Sequence, residues 1–342
     1  MAGGRDRAML KQMQELPLDM KIKMTEGRIR EWYDHWMGNV CVSFSGGKDS
    51  TVLLDIARRL YPDIEAVYVD TGLEYPEVRQ FVKSFEGVTW LKPTMRFDQV
   101  ICKYGYPVIG KEISLKLCYL KKGSTWAISC AGNNGRYGIS KYKDIINLPF
   151  NVSDQCCTVM KKSPIHKYLK VSGKHNMTAQ MACESQLREQ QWIKNGCNSF
   201  DAVHPVSNPM SFWTEQDVLL YIKLNNLPIA SVYGEVVYDV EDPEQERFDG
   251  FVTHKLKTTG CKRTGCVFCG YGAHLEKESR FVALSHTHTR LYDYCINGGE
   301  FGEDGIWRPN KKGLGMGYVF DRLNELYSKD GKPFIKYKEG DG

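Results

Sequence analysis

The sequence predicts an α/β protein with a doubly wound, mostly parallel sheet, a helical N-terminal lead-in and a Cys-rich C-terminal module. Three observations carry this. A short apolar run, Val40-Cys41-Val42-Ser43-Phe44, turns on Gly46-Gly47 into a segment with helical apolar spacing at Val52, Leu53, Ile56, Ala57 and Leu60. Two further apolar runs follow, Ile64 to Val69 and Val88 to Leu91, with a helical pattern at Glu74–Val82 between them. Such strand–helix alternation favours a parallel sheet. Beyond Thr258 the chain becomes rich in cysteine and then in glycine.

The elements follow in order. Residues 1–37 read as a helical extension that buries Ile22, Ile29, Trp32 and Trp36. The nucleotide-binding sheet domain spans 38–235. Its periodicity weakens between Lys111 and Phe150, which reads as an insertion or active-site cover. Order returns at Met177–Ala182, with helices near Ser185–Lys194 and Thr214–Asn225. Thr214-Glu-Gln-Asp217 has the form of a capping box, with Asp in place of Glu or Gln. Residues 236–342 form the metal-binding module, and 239–249 within it are acidic and expected to be exposed.

Composition narrows the function classes. The 342 residues are 42% hydrophobic and 25% charged, as in a globular protein. No run reaches the ~18 apolar residues of a membrane span. The polar start Met1–Arg7 has no apolar core behind it, so no secretory signal and a cytoplasmic location are expected. A net charge of +5 permits an anionic partner without requiring nucleic acid. Twelve cysteines in a reducing compartment point to metal binding or sulfur chemistry rather than a disulfide framework.

The glycine turn has the chemistry of an anion site. Gly46 and Gly47 let the backbone approach a ligand, and N–H groups at the helix start point at it. Lys48 adds a positive charge, Ser45 and Ser50 add hydroxyls, and Asp49 stands in the loop. The loop is not a Walker A sequence, which needs four residues between its first Gly and Gly-Lys. Ser45-Gly-Gly-Lys-Asp-Ser50 resembles the PP-loop of ATP pyrophosphatases and the adenine nucleotide alpha hydrolase group, which holds ATP while the α–β bond is cleaved. Asp70 and Thr71 follow the second strand. Ligands of open parallel sheets bind beyond the carboxyl ends of strands, so these two residues are expected near the nucleoside.

Cys261, Cys266 and Cys269 put three thiols within nine residues. The two-residue gap from Cys266 to Cys269 lets both sulfurs face one metal centre, a spacing shared by zinc and iron–sulfur sites. Cys156-Cys157 and Cys295 are the other candidate ligands. Cys41, Cys102, Cys118, Cys130, Cys183 and Cys197 are read as small buried hydrophobes.

From about Asn39 to Tyr294 the chain resembles the phosphoadenosine phosphosulfate (PAPS) reductase family. The likeness rests on the phosphate loop, Val69-Asp-Thr-Gly72, Cys156-Cys157 with Lys161-Lys162 and Pro164, and Glu184-Ser185 with Arg188. It rests also on Pro205, Trp213-Thr-Glu-Gln-Asp-Val218 and Cys266-x-x-Cys269. The tandem cysteines with a later Cys-x-x-Cys are similar to the 4Fe–4S pattern of the adenylyl-sulfate reductase branch. By the same analogy Arg188 binds an anion. Three departures stand out. The reductases end in Glu-Cys-Gly-Leu-His, and here no cysteine follows Cys295. Their phosphate loop is usually modified, and this one is intact. Gln180-Met181-Ala182 stands where the family often has Gly-x-Arg.

An intact loop with a cluster also resembles DNA phosphorothioation sulfur-transfer proteins and tRNA thiolases. The resemblance implies ATP, Mg²⁺ and a 4Fe–4S cluster, with zinc as the alternative metal. It further implies catalytic roles for Lys48, Asp49 and Arg188, and a sulfur donor such as a cysteine desulfurase or another persulfide carrier. The acceptor stays open between nucleic acid and small molecule, with no membrane partner. The expected function is acceptor adenylylation in support of sulfur transfer. Sulfonucleotide reduction with Cys295 as nucleophile is the alternative, and a non-catalytic nucleotide- or iron–sulfur-binding regulator the reading from another class.

Overall fold

A computed structural model describes residues 5–135, 138–239 and 255–340, with the backbone of 247–248 and 251–252. Most of the acidic stretch 239–249 therefore lies outside the described residues. The chain divides into two compact units, each discontinuous in sequence. The first comprises Met1–Asp70, Glu74–Leu91 and Ile165–Thr264; the second comprises Thr71–Leu73, Lys92–Pro164 and Gly265–Gly342. This differs from the contiguous segments 1–37, 38–235 and 236–342 that the sequence predicts.

The first unit is built on a six-stranded sheet. Strands β1 (Val40–Ser43), β2 (Glu65–Val69) and β3 (Val88–Leu91) run parallel in the order β3-β2-β1. His175–Met177 pairs parallel with the other side of β1, followed by Val206–Ser207 and then Asn198–Ser199, whose pairing is antiparallel. Val42 lies level with Ala66 on one side and Met177 on the other. Val40, Cys41 and Val42 are all buried, as befits a parallel strand covered on both faces. The strand order reverses beside β1, which is the topological switch point where open α/β sheets bind ligands. The Lys48–Leu60 helix leaves from this point and buries Val52, Leu53, Leu54 and Ile56.

The N-terminal helices belong to this unit because they contribute to its core. Leu18–His35 buries Ile29 and Trp32 as the sequence predicts, whereas Ile22 and Trp36 are only partly covered. It also buries Lys21 and Thr25, which the apolar pattern misses. The Trp213 indole donates to Thr25 Oγ1 at 2.9 Å, and Thr25 donates on to the Pro209 carbonyl. Lys21 is 2% exposed and donates to the Gln14 carbonyl at 2.6 Å and to Asp217 Oδ2 at 2.7 Å. Asp217 in turn closes the capping box of the Glu215–Leu224 helix by accepting from Thr214. Residues beyond 235 join the first unit through Val236–Tyr238, which pairs with Leu256–Thr258. Gln216 adds two bonds to the Leu256 backbone.

In the second unit, helices fill much of 92–164. Helices at Phe97–Tyr104, Lys111–Lys121 and Thr125–Ala131 precede a tandem-cysteine turn, Gln155–Cys157, and a π-helical turn, Thr158–Lys162. Gly270–Tyr271 pairs parallel with Val108–Ile109, tying this segment to the Cys-x-x-Cys limb. A Cβ on Gly270 would stand 2.8 Å from the Pro107 carbonyl, so the pairing needs glycine there. Met316–Tyr327 buries Val319, Phe320 and Leu323. No helix among the described residues is long and apolar enough to cross a membrane.

The Lys21–Asp217 pair yields a stability test. Removing one partner of a buried ion pair strands the other charge. Lys21→Met is expected to lower the unfolding free energy by about 3 kcal/mol, read from urea denaturation. A loss below about 1 kcal/mol would mean that the pair behaves as a solvated surface contact.

Candidate functional site

The phosphate loop follows β1 at the switch point. Gly46 has φ +70°, and a Cβ there would fall 2.7 Å from Val82 and 2.8 Å from Val78. The turn thus needs glycine for its backbone angle and for its close approach to the Pro76–Lys83 helix. The loop is held by its own hydroxyls. Ser50 Oγ donates to the Gly47 carbonyl at 3.0 Å and lies 3.1 Å from Ser45 Oγ, while the Ser45 N–H donates to Ser50 Oγ. Gly47 caps the Lys48–Leu60 helix with no side-chain bond. The first N–H groups of the helix meet the Tyr233 hydroxyl, at Lys48, and the Asp49 carboxylate, at Asp49, at the end of a helix where an anion can be received instead.

Lys48 is buried, at 5% exposure, yet fully engaged. Its ammonium donates to Glu215 Oε1 at 3.2 Å and to the Lys262 carbonyl at 2.9 Å, and lies 5.3 Å from the centroid of the Tyr233 ring. Tyr233 also bonds Thr264. Asp49 beside it has its carboxyl pushed up, first by burial and then by Glu215, against the pull of Lys48 and Arg263. Arg188 feels the same Asp49 and Arg263 and is ion-paired with Glu184. It also lines a polar cavity of about 220 Å³ with His204 and Asn208. These residues make an electrostatic neighbourhood of both signs around the loop. The sequence reading names Lys48, Asp49 and Arg188 but misses Glu215, Tyr233, Lys262 and Arg263. The Trp213–Val218 motif contained Glu215; nothing local marks the other three.

Asp70 sits at the end of β2, where its N–H donates to the Leu91 carbonyl at 2.8 Å. Its carboxylate is already taken by a two-pronged bond from Arg79, at 2.9 Å to Oδ2 and 3.1 Å to Oδ1. Thr71, expected beside it in the nucleotide site, falls in the second unit, where its hydroxyl accepts from the Leu73 N–H.

Four thiols of the second unit act on one another. Burial raises the Cys156 thiol, and Cys266, Cys157 and Cys269 each raise it further. The Cys269 thiol is pushed up to about 11, by burial first and then by Cys266, with Arg280 opposing. The Tyr271 hydroxyl donates to the Ser153 carbonyl at 2.7 Å, tying the Cys-x-x-Cys limb to the segment before Cys156. Arg280 braces the same limb by donating to the Cys269 carbonyl. A donor set of four cysteines suits an iron–sulfur cluster, which takes four thiolates. Among the described residues, no three His, Cys, Asp or Glu side chains converge into a site for a metal ion.

The remaining candidates stand elsewhere. Cys295 is fully buried, with Sγ 3.7 Å from Met316 Sδ, and burial alone raises its thiol. Cys261 belongs to the first unit, where its carbonyl accepts from Thr258 and its thiol is raised by burial against a bond from Tyr75. Of the cysteines expected in the core, Cys41 and Cys197 are buried, while Cys102 and Cys183 are exposed. Cys183 shares the field of Asp49, Glu215 and Arg263.

Comparison with known proteins follows the same lines. The family model described as phosphoadenosine phosphosulfate reductase domain matches residues 39–99 and 116–271, more than half of the chain. An uncharacterized protein of Methanocaldococcus jannaschii is 25% identical over 281 residues, covering 78% of this chain and 50% of that protein. The chain thus spans about half the length of that relative. Adenosine 5′-phosphosulfate reductase of Lysinibacillus sphaericus is 23% identical over 208 residues, covering 60% of this chain and 73% of the enzyme. The crystal structure of PAPS reductase from Candida auris aligns with a TM-score of 0.36 at 14% identity, over 68% of this chain and 92% of that one.

Two tests follow from the geometry. A carboxyl raised in the folded state binds its proton more tightly there than in the unfolded chain. The ionisation of Asp49 therefore costs no stability in acid, where both states are protonated, and costs most above its folded pKa. Asp49→Asn is expected to raise the melting temperature at neutral pH, with the gain vanishing near ~pH 3. A gain that persists in acid would reject this account. For the thiols, anaerobically purified protein is expected to hold iron and acid-labile sulfide, lost in Cys156→Ala, Cys157→Ala, Cys266→Ala and Cys269→Ala. Cys261→Ser and Cys295→Ala should keep both. Stoichiometric zinc in a colourless protein would replace the cluster by a different metal.

Proposed function

The chain belongs to the phosphoadenosine phosphosulfate reductase family, and on that premise we propose that it cleaves ATP to adenylylate an acceptor in support of sulfur transfer. The observation that carries this reading is the unaltered Ser45-Gly-Gly-Lys-Asp-Ser50 loop, turned on Gly46 at the switch point with a buried Lys48 at its helix start. Such a loop is suited to a triphosphate. The acceptor oxygen attacks the α-phosphorus, a new P–O bond forms, and the bridging bond to the β-phosphate breaks. Pyrophosphate leaves with the electron pair. Lys48 and the N–H groups of the helix start would stabilise the charge that gathers there. Mg²⁺ would accompany the triphosphate, and the carboxylates of the loop neighbourhood are Asp49 and Glu215, the latter already paired with Lys48. The terminal sulfur of a persulfide carrier then displaces AMP: a bond to sulfur forms, the acceptor–oxygen bond breaks with its electron pair leaving on AMP, and a thiol reductant cleaves the S–S bond that still joins acceptor to carrier, the carrier leaving as a disulfide. Activation must come first, because an oxygen leaves only as part of a good leaving group.

Cys156, Cys157, Cys266 and Cys269 would hold a 4Fe–4S cluster, which supplies sulfur or electron chemistry when bound. Cys156 is buried and the other three are half-buried. The second reading is a sulfonucleotide reductase, and the printed names of the curated relatives favour it. The full burial of Cys295 opposes the form of that reading in which this thiol attacks sulfur.

The deciding measurement is product identity. With an acceptor present, pyrophosphate release from ATP is expected, lost in Lys48→Ala by at least about 100-fold. No sulfite should form from adenylyl sulfate or PAPS with thioredoxin or glutathione. Sulfite at an enzyme-like rate would establish the reductase reading instead. Slow ATP turnover without acceptor decides nothing, since productive attack awaits a bound oxygen.

A further inference from the structure

The second unit contains a cavity of about 440 Å³ that the phosphate loop and the thiols do not account for. Leu117, Ile145, Phe150 and Val152 give it apolar walls, and all four are buried. Its other lining is cationic and aromatic. Lys103, Lys121 and Lys122 face Asp154 as the only lining carboxylate. Among the described residues, none of the three lysines is paired with a carboxylate. Lys121 donates to the Asn151 amide oxygen at 2.9 Å, Lys103 lies over the Tyr104 ring and Lys122 over the Tyr119 ring. The volume falls at the size of a site for one small organic ligand.

A second observation extends the site. Tyr119 is 46% exposed and Trp126 49% exposed, and their rings meet edge-on with centroids 6.1 Å apart. They stand on the consecutive helices Lys111–Lys121 and Thr125–Ala131. These large aromatic rings, half in water, thus stand beside ammonium groups that no carboxylate neutralises among the described residues. Aromatic faces take nucleobases regardless of sequence, and lysines track the phosphates between them.

We propose that this cavity and its Tyr119–Trp126 ledge bind single-stranded polynucleotide, with one base in the cavity, a neighbour on the ledge and backbone phosphates on Lys103, Lys121 and Lys122. Lys121-Lys122 alone, as a sequence feature, is indistinguishable from solvated charge. The placement of Lys122 over the Tyr119 ring, which itself meets Trp126, supplies the missing half. That the bound strand is also the acceptor rests on the proposed adenylylation; the binding itself does not.

Binding is tested without ATP, so that it stands or falls apart from pyrophosphate release. Full-length protein is titrated against fluorescein-labelled single strands of roughly 12 nucleotides, one of DNA and one of RNA of the same sequence, with AMP as competitor. At least one strand is expected to bind and to quench tryptophan fluorescence, the DNA and RNA arms telling which sugar is preferred. Lys121→Glu with Lys122→Glu should weaken binding about tenfold or more and flatten the log K against log salt slope by about 1.4, two phosphate contacts' worth. Trp126→Ala should weaken it several-fold, remove the quenching and leave the slope unchanged. Lys311→Glu, outside the cavity lining, should match the unaltered protein. The proposal is overturned by absence of binding to both strands, or by binding that all the variants keep. Displacement of the strand by AMP at equal affinity would overturn it too, since the cavity would then be a mononucleotide site.

Discussion

A buried ammonium must be partnered, and Lys48 is the place where this constraint organises the first unit. Its position is set by the glycine turn after β1. Its partners come from Glu215, at the start of the Glu215–Leu224 helix, and from the carbonyl of Lys262, more than 200 residues away in sequence. Removing a charge from water costs several kcal/mol unless hydrogen bonds and opposite charge replace the solvent. The chain from 214 to 264 can therefore not be an independent module. It is part of the phosphate loop's support. The Thr214–Asp217 capping box fixes the helix that carries Glu215, and Lys21 fixes Asp217. A line of polar contacts thus runs from the N-terminal helices to the loop.

The fold was largely legible because its signals are local. Val40 to Phe44 is a continuous apolar run, Gly46-Gly47 follows, and the helical spacing starts at once. Each of these is a short-range statement, and the parallel sheet follows from their repetition. Division into units was less legible. A capping Asp that also takes a buried lysine, or a two-residue strand pairing Gly270 with Val108, leaves no periodicity for a sequence to display. For the same reason 111–150 reads as an insertion or active-site cover. Its helices are short, and their apolar faces are interrupted by lysines that lie along a cavity.

The candidate sites show the same split. The loop's glycines and lysine are contiguous, and so can be read as a motif. Glu215, Tyr233 and Lys262 are brought to Lys48 by tertiary structure alone. Asp70 was legible as a strand-end carboxylate but not as the partner of Arg79, because i, i+9 spacing across a turn carries no helical or strand signature. Among the cysteines, Cys266-x-x-Cys269 and Cys156-Cys157 announce themselves by spacing, and their thiols influence one another in the structure. Cys295 is marked in sequence only by being a cysteine. Its packing against Met316 is that of a small apolar side chain.

The accessibility of thiols bears directly on which chemistry the family fold performs here. Attack on a sulfonucleotide needs a thiolate that can reach its substrate. Cys295 has no exposure, and burial is the sole influence on its ionisation, acting against the thiolate. Cys156 and Cys269 are opposed in the same direction by burial and by neighbouring thiols, a cost that the proposed metal centre would relieve. These thiols are therefore suited to ligation and poorly suited to nucleophilic attack in the metal-free protein. In the first unit the exposed thiol within the field of Asp49 and Arg263 is Cys183. Burial raises its thiol as well, with Arg263 opposing, so its exposure is what sets it apart from Cys295. The adenylyl transfer proposed for the phosphate loop, by contrast, requires no protein thiol at all.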